Sequence, residues 1–495
     1  MPAQKSNILI VGGGTTGLMA ATLLSQAWPE RHIVLVEKSK TLGGLLRSFD
    51  YGANGRFDCG AHNFQETLIE ELDHLFLSLL PPEQWHVMSG REREIAGHYY
   101  QGKLQANTPF VDLRGLPESL YKTCLQDFFW NLNQQSQNRL VQNPESAYDF
   151  CLQHFGPVIT ETVIQPILFK LFGKDIQSLH KLPLLFLHLN RIAFLDEAIV
   201  TDLTQSQLLR SRIAFSDQRD LPLERSAGKR NFYPKSLGMQ QLIDAFEARL
   251  RQRNVTILTE AVVGDIQETD GKISSVTLKQ AGQALQEMFV EQVIWTAGIH
   301  PLTLTLGLQD ADDSFDKPLQ TAFVHLQLDQ KLQANDLFYI YPFDPQFLTY
   351  RVVNYANFCP QTLQGPTYPV TLELFLPPDQ AWEKETLPQR GIAELRGMGL
   401  ISEETNVLFA TAEITTEGFP MPTLKNIELT QTRRERIKAK ALKNLTLLGI
   451  LAEDELLFHK DVNVHAFQQL KLLIAKSLPA VLQESTPCLP VQLHP

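Results

Sequence analysis

Residues 8–21 read Ile8-Leu9-Ile10-Val11-Gly12-Gly13-Gly14-Thr15-Thr16-Gly17-Leu18-Met19-Ala20-Ala21. Four consecutive apolar residues suit a strand buried on both faces. The run stops at Gly12, and Gly12, Gly14 and Gly17 hold a GxGxxG spacing as the chain enters a helix whose first turn carries Thr16. In such a turn the first glycine permits the tight bend and the second lets the backbone approach a pyrophosphate. The third lets helix and strand pack closely. The N–H groups that open the helix then face the phosphates, and the helix dipole favours their charge. A second apolar run, His32-Ile33-Val34-Leu35-Val36, ends in Glu37. An acid at that spacing accepts hydrogen bonds from ribose hydroxyls. Strand, glycine turn, helix, strand and acid in register predict a dinucleotide-binding unit. A tight turn without a ligand leaves the acid unexplained.

After Glu37 come Lys38, then Gly43-Gly44-Leu45-Leu46-Arg47, then Phe57-Asp58-Cys59-Gly60-Ala61-His62. A second glycine pair lets another backbone segment lie against the ligand, which an extended FAD needs more than NAD does. Further along, residues 117–223 carry a long helical pattern, clearest at 145–155 and 158–172. A helix over 239–252 precedes short β-rich runs at 255–259, 272–278 and 289–296. Residues 322–375 alternate apolar and polar, as at 324–328 and 370–375, which predicts an antiparallel sheet with one face covered. A last helix is expected at 464–477, followed by an irregular arm.

The composition narrows the function classes. The chain has 495 residues, with 43% hydrophobic and 20% charged, ample for a sizeable core. With 44 Lys and Arg against 55 Asp and Glu, the net charge of −11 argues against a nucleic-acid partner. No run approaches the roughly 20 apolar residues of a transmembrane helix. The most apolar window, 182–195, is broken by Pro183, His188, Asn190 and Arg191. It reads as a buried core helix, with contact to a membrane surface or a lipid-like substrate as the second reading. The N-terminal apolar stretch runs straight into glycines, unlike a signal peptide. Five cysteines, Cys59, Cys124, Cys151, Cys359 and Cys488, form no CxxC pair. That argues against a disulfide scaffold or a zinc site, so no metal is expected and a cytoplasmic location is. Nucleophile-elbow, HExxH and GK[ST] patterns are lacking, which sets hydrolase and kinase chemistry aside. The sequence carries no signal for the oligomeric state.

With these motifs in place, the sequence resembles the FAD-dependent amine oxidase and protoporphyrinogen oxidase superfamily, which also holds phytoene desaturases and UDP-galactopyranose mutases. In that superfamily the ribose acid is followed by a GG motif and an F-D-x-G loop beside the isoalloxazine ring. Two later blocks are similar as well. Tyr233-Pro234-Lys235-Ser236-Leu237-Gly238-Met239 resembles a Y-P-x-G-G segment, although Ser236 and Leu237 interrupt its glycine pair. Val263 and Ile266 match a V-x-x-I strand over the adenine, and Val293-Ile294-Trp295-Thr296-Ala297 matches a strand ending in a Thr-Ala turn. The resemblance implies FAD as cofactor, held by Gly12, Gly14, Thr16, Gly17, Glu37, Lys38, Gly43, Gly44, Leu45, Arg47, Gly60, Ala61, His62, Val263, Thr296, Ala297, Gly449, Asp461, Val462 and Asn463.

Three features are similar to the mutase branch in particular. Gly60-Ala61-His62-Asn63-Phe64 resembles its G-P-H-x-F loop, which implies a flavin-facing His62. Thr349-Tyr350-Arg351, followed by Thr371-Leu372-Glu373, resembles the strand pair that carries an Arg for the substrate pyrophosphate. The competing reading of Arg351 is a cation on a solvated sheet face. Leu445 to Gly449, then Lys460-Asp461-Val462-Asn463, resembles a G-R then D-M-D order in which a helix start faces the flavin pyrimidine. The departures are Ile450 in place of the Arg after Gly449, Asn463 in place of the second acid, and no tyrosine within 452–459.

The expected architecture is α/β: a Rossmann-like FAD-binding domain of the glutathione-reductase type, interleaved with an α+β substrate domain carrying an antiparallel sheet and a helical insert. The expected blocks are 1–95, 226–300 and 431–480 for FAD, 96–225 for the helical insert, 301–430 for the substrate sheet, and 481–495 for a tail. The resemblance implies an enzyme acting on a small-molecule substrate, an FAD-dependent oxidoreductase moving hydride from a substrate C–H bond to flavin N5, with His62 and Arg351 as catalytic candidates. The alternatives are a mutase-like enzyme using reduced FAD on a nucleotide sugar, and an FAD-bound partner subunit without turnover.

Overall fold

A computed structural model describes residues 7–137, 144–219, 221, 230–236, 238–309, 314–334, 336–359, 367–377, 379–415, 420–454 and 456–477. The expected tail at 481–495, with Cys488, and Leu237 of the interrupted glycine pair lie outside the described residues.

The apolar run at 8–11 forms the central strand Asn7–Val11, with burial complete or nearly so at every position from Ile8 to Val11. Ile33–Val36 pairs with it in parallel on one side and Gln286–Trp295 on the other. Val255–Leu258 and Leu445–Leu447 extend the parallel sheet at its two ends. The N-terminal half of Gln286–Trp295 continues into an antiparallel meander with Lys272–Gln280 and Ala261–Thr269. Distant stretches of chain thus build one layer. The helices Thr15–Ala27, Gln240–Arg251 and His459–Lys476 bury their apolar sides against it, through residues such as Leu18, Leu24, Ile243, Phe246, Ala466 and Leu470.

The second sheet has seven strands, in the order Val407–Thr415, Gln320–Leu328, Tyr368–Leu376, Thr349–Asn354, Tyr339–Pro342, Ala96–Tyr100 and Lys103–Gln105. It departs from the expectation twice. Tyr339–Pro342 and Ala96–Tyr100 run parallel, so the sheet is mixed. It is also covered on both faces: eight of the nine residues of Tyr368–Leu376 are buried. One face packs Val324, Leu326, Leu372 and Leu374 against the helix Leu387–Gly397. The alternation in polarity marks the other face, where His325, Thr371 and Glu373 are buried and hydrogen-bonded to protein groups instead of water.

The helical insert spans Glu118–Gln137, Ala147–Phe155, a continuous turn-rich run from Pro157 to Phe172 with a π segment at Thr160–Ile164, and shorter helices to Arg210. Lys170 ties it to the sheet by donating to the carbonyls of Pro342 and Thr349, both at 2.6 Å. The apolar window at 182–195 is core, but only Leu182–Phe186 is helical. Pro183 starts that turn, and His188 breaks away at φ 57° while Leu187, Leu189, Ile192 and Phe194 stay buried. No helix of the described residues is long and apolar enough to cross a membrane.

Candidate functional site

The glycine turn is packed tightly on two sides and open on one. Gly12 has φ 108°, and a Cβ there would collide with the Thr296 hydroxyl. A Cβ on Gly17 would collide with the Gly12 carbonyl, so helix and strand approach as closely as glycines allow. A Cβ on Gly14, by contrast, would meet nothing within 4 Å. Thr296 fixes the far wall by donating to the Val11 and Gly12 carbonyls, at 2.9 and 3.2 Å. The second glycine pair closes on the first: Gly43 N donates to the Gly13 carbonyl at 2.8 Å. Glu37, 8% exposed, accepts from Gly13 N at 2.7 Å and from Ser39 N at 2.8 Å. Both carboxylate oxygens are therefore held at the rim of the turn.

Around this turn the other expected cofactor residues take different positions. Thr16 is buried in the first helical turn, while Lys38, Leu45 and Ala297 are exposed. Gly44 is half-buried and Arg47 lies over the Phe49 ring. Gly449 lies beside the Thr296 carbonyl, to which a Cβ would come within 3.2 Å. In the first turn of His459–Lys476, Asp461 is exposed whereas Val462 and Asn463 are buried. Val263 is half-buried against the apolar cluster of Leu9, Val11, Val34 and Val36.

The second part of the site is where the Gly60–Asn63 loop crosses the polar face of the mixed sheet. Gly60, at φ 92°, passes directly over Glu373, and a Cβ would lie 3.3 Å from its Oε2. Glu373 is 2% exposed and accepts four hydrogen bonds. Oε1 takes Ala61 N at 3.1 Å and Arg351 Nε at 2.7 Å; Oε2 takes Arg351 Nη2 at 2.8 Å and the Tyr350 hydroxyl at 2.6 Å. Arg351 is therefore neither a solvated surface cation nor an unpaired one; its side chain is 20% exposed and gripped at two nitrogens. Burial by itself would raise the Glu373 carboxyl, but Arg351 and the Tyr350 hydrogen bond outweigh it and hold it below the usual carboxylate range.

The two neighbouring histidines are kept neutral. Burial, and then the Arg351 charge, lower His62 to about 4. Burial, with Arg191 and Arg351, lowers His188 to about 4 as well. Burial raises the Glu94 carboxyl although it accepts from Asn63 at 2.5 Å, Asn231 at 2.6 Å and Tyr339 at 2.6 Å. His62, Tyr339, Tyr350, Arg351 and His188 all keep some accessible surface despite this depth. The structure thus brings His62, Gly60, Ala61 and Arg351 together around Glu373.

Glu373, Tyr350, Tyr339, Glu94, His188, His459 and Thr15 were not among the sequence candidates. Glu373 stood in a quoted strand, and its acid opposite an Arg on a neighbouring strand was the available signal. Tyr350 stood beside Arg351 and Thr15 inside the glycine turn, while nothing local marked Tyr339, Glu94, His188 or His459. Among the described residues no group of three or more His, Cys, Asp or Glu is placed to hold a metal ion.

Residues 10–76 match the NAD(P)-binding Rossmann-like domain family. An uncharacterized protein of Acanthamoeba polyphaga mimivirus is 44% identical over 46 residues, a match spanning 9% of this chain and 9% of that protein. Among solved structures, a reduced UDP-galactopyranose mutase superposes with a TM-score of 0.72 at 15% identity, covering 96% of each chain. A protein described as a protoporphyrinogen oxidase from Exiguobacterium sp. gives 0.65 at 15% identity, covering 96% of this chain and 100% of that one. A putrescine oxidase redesigned in its cofactor binding gives 0.56 at 15% identity, covering 96% and 99%. Parallel sheet, glycine turn, meander and mixed sheet together are the fold that this chain shares with these solved structures.

Proposed function

We propose that the protein is an FAD-dependent oxidoreductase that takes hydride from a C–H bond of a small-molecule substrate. The glycine turn fits such a cofactor: it is open at Gly14, bounded by Gly44 and Thr296, and edged by a carboxylate with lone pairs to spare for ribose hydroxyls. Gly12 to Gly17, Glu37 and Gly43–Gly44 would hold the adenosine and pyrophosphate end. Gly60 to His62 and the start of His459–Lys476 would hold the flavin end. When bound, FAD supplies the hydride acceptor at N5. In this reading segments 1–95, 226–300 and 431–480 serve the cofactor, and 96–225 and 301–430 serve the substrate.

The observation that carries the reaction class is the state of the ionisable groups around Arg351. Arg351 and Glu373 neutralise each other, and His62 and His188 are held uncharged. Such a site offers shape and hydrogen bonds, but neither an imidazolium nor an unpaired charge on Arg351 or Glu373. Hydride removal needs neither, whereas a nucleotide-sugar diphosphate needs an uncommitted cation. Arg351 already commits two of its five N–H donors to Glu373, so it would offer such a diphosphate only the remaining ones and a charge that Glu373 balances.

The mutase alternative stays second because the Gly60–Asn63 loop and the sheet arginine share one partner, Glu373, which bonds Ala61 N and Arg351 Nε. Anaerobic incubation of the purified flavoprotein with amine, porphyrinogen or polyene substrates separates the two. Bleaching of the flavin band with substrate oxidation supports the oxidoreductase. Turnover of a nucleotide sugar only after dithionite reduction would replace it with the mutase.

A further inference from the structure

Two helices start side by side at the glycine turn. Thr15–Ala27 and His459–Lys476 have Gly14 and Phe458 at their capping positions, and neither receives a side-chain cap. Their first-turn N–H groups therefore lack the usual local acceptor. The two starts are joined by one hydrogen bond, Thr15 Oγ1 to His459 Nε2 at 3.0 Å, across 444 residues of sequence. One turn on, Asn463 is 1% exposed and directs its amide nitrogen at the His459 ring, 3.4 Å away. Its Oδ1 is buried without a partner. A buried amide oxygen left that way is costly, and a donor carried by a ligand removes the cost. Burial, and then the proximity of His62, lower His459 to about 3, so an uncharged imidazole makes the link.

We propose that the Thr15–His459 hydrogen bond latches the two helix starts into one binding site for the diphosphate and ribityl portion of a flavin dinucleotide, with Asn463 Oδ1 accepting from one of its hydroxyls. This rests on the FAD reading above. The latch accounts for both uncapped helices and for the orphaned oxygen with a single ligand: its anionic part faces the N–H groups, and its polyol part supplies the missing donor. His459 acts here as a positioning residue, through Thr15 and Asn463.

The test is FAD affinity, read by quenching of flavin fluorescence, alongside the thermal midpoint of the FAD-free protein. Thr15→Val and His459→Phe should each weaken FAD binding about tenfold, with the FAD-free midpoint unchanged. The double variant should be no weaker than either single one, because both remove the same link. His459→Gln, whose amide can reach Thr15, should recover most of the affinity. Unchanged affinity in the single variants, or losses that multiply in the double, would overturn the latch while leaving FAD binding intact. A fall of the FAD-free midpoint that matches the affinity loss would reassign the pair to folding alone. A wild-type protein that binds no FAD would end the FAD reading and the latch's ligand with it.

Discussion

Replacing Glu373 by Leu removes a carboxylate that satisfies four donors and leaves the Arg351 guanidinium charged in a largely dry site. Breaking one side of a buried pair costs about 3–5 kcal/mol, because the remaining charge keeps its desolvation penalty without its partner. Arg351→Met strands Glu373 in the same way and should cost a similar amount. The double variant leaves no charge behind, so it should be less destabilised than either single one, a large coupling for residues in contact. Urea unfolding of the FAD-free protein, followed by circular dichroism, gives the three differences from midpoint shifts at constant slope. Single losses below about 1 kcal/mol, the range of exposed ion pairs, would refute the argument that the pair is buried and mutually dependent. Strictly additive losses would refute it as well.

Other consequences follow from the glycine turn and the histidines. Gly17→Ala should abolish FAD binding and destabilise the fold, because its Cβ meets the Gly12 carbonyl and neither backbone can yield; wild-type-like binding would show the turn to be looser than described. Glu37→Gln should weaken FAD binding roughly ten- to a hundredfold by losing charge-assisted bonds, worth about 1.5–3 kcal/mol, measured by fluorescence titration. The His62 pKa is depressed from 6.5 to about 4, so between those values the unfolded chain binds the proton and the folded one does not. Wild type should therefore lose about 3 kcal/mol relative to His62→Gln as the pH falls from 6.5 to 4. Parallel pH–stability curves for the two proteins would rule that out.

The dinucleotide turn was legible in the sequence because everything that makes it is local: an apolar strand, three glycines whose added Cβ atoms either collide or meet open space, and an acid at the end of the next strand. The mixed sheet was legible only in part. Alternation along 370–375 gave the strand but misread its polar face as solvated, since a buried Glu373 and an exposed one look alike until the partner is known. Arg351 and Glu373 sit on adjacent strands, yet the donor Ala61 N comes from 312 residues away. His459 had no local signature either, because its meaning lies in Thr15 at the opposite end of the chain. In the insert, helical periodicity foretold helices at 147–172, but not the break at His188 that directs its ring to Tyr341 and Phe110, with centroids 5.3 and 5.5 Å away.

The measurement that bears most directly on the central claim is the visible absorption spectrum of the purified protein before and after anaerobic incubation with a metabolite pool. An FAD-dependent oxidoreductase should show a flavin band that bleaches as a substrate C–H bond is oxidised and returns when an electron acceptor is admitted. A colourless protein that takes up no added FAD would contradict that claim, as would a flavin band that no pool bleaches while reduced protein turns over a nucleotide sugar.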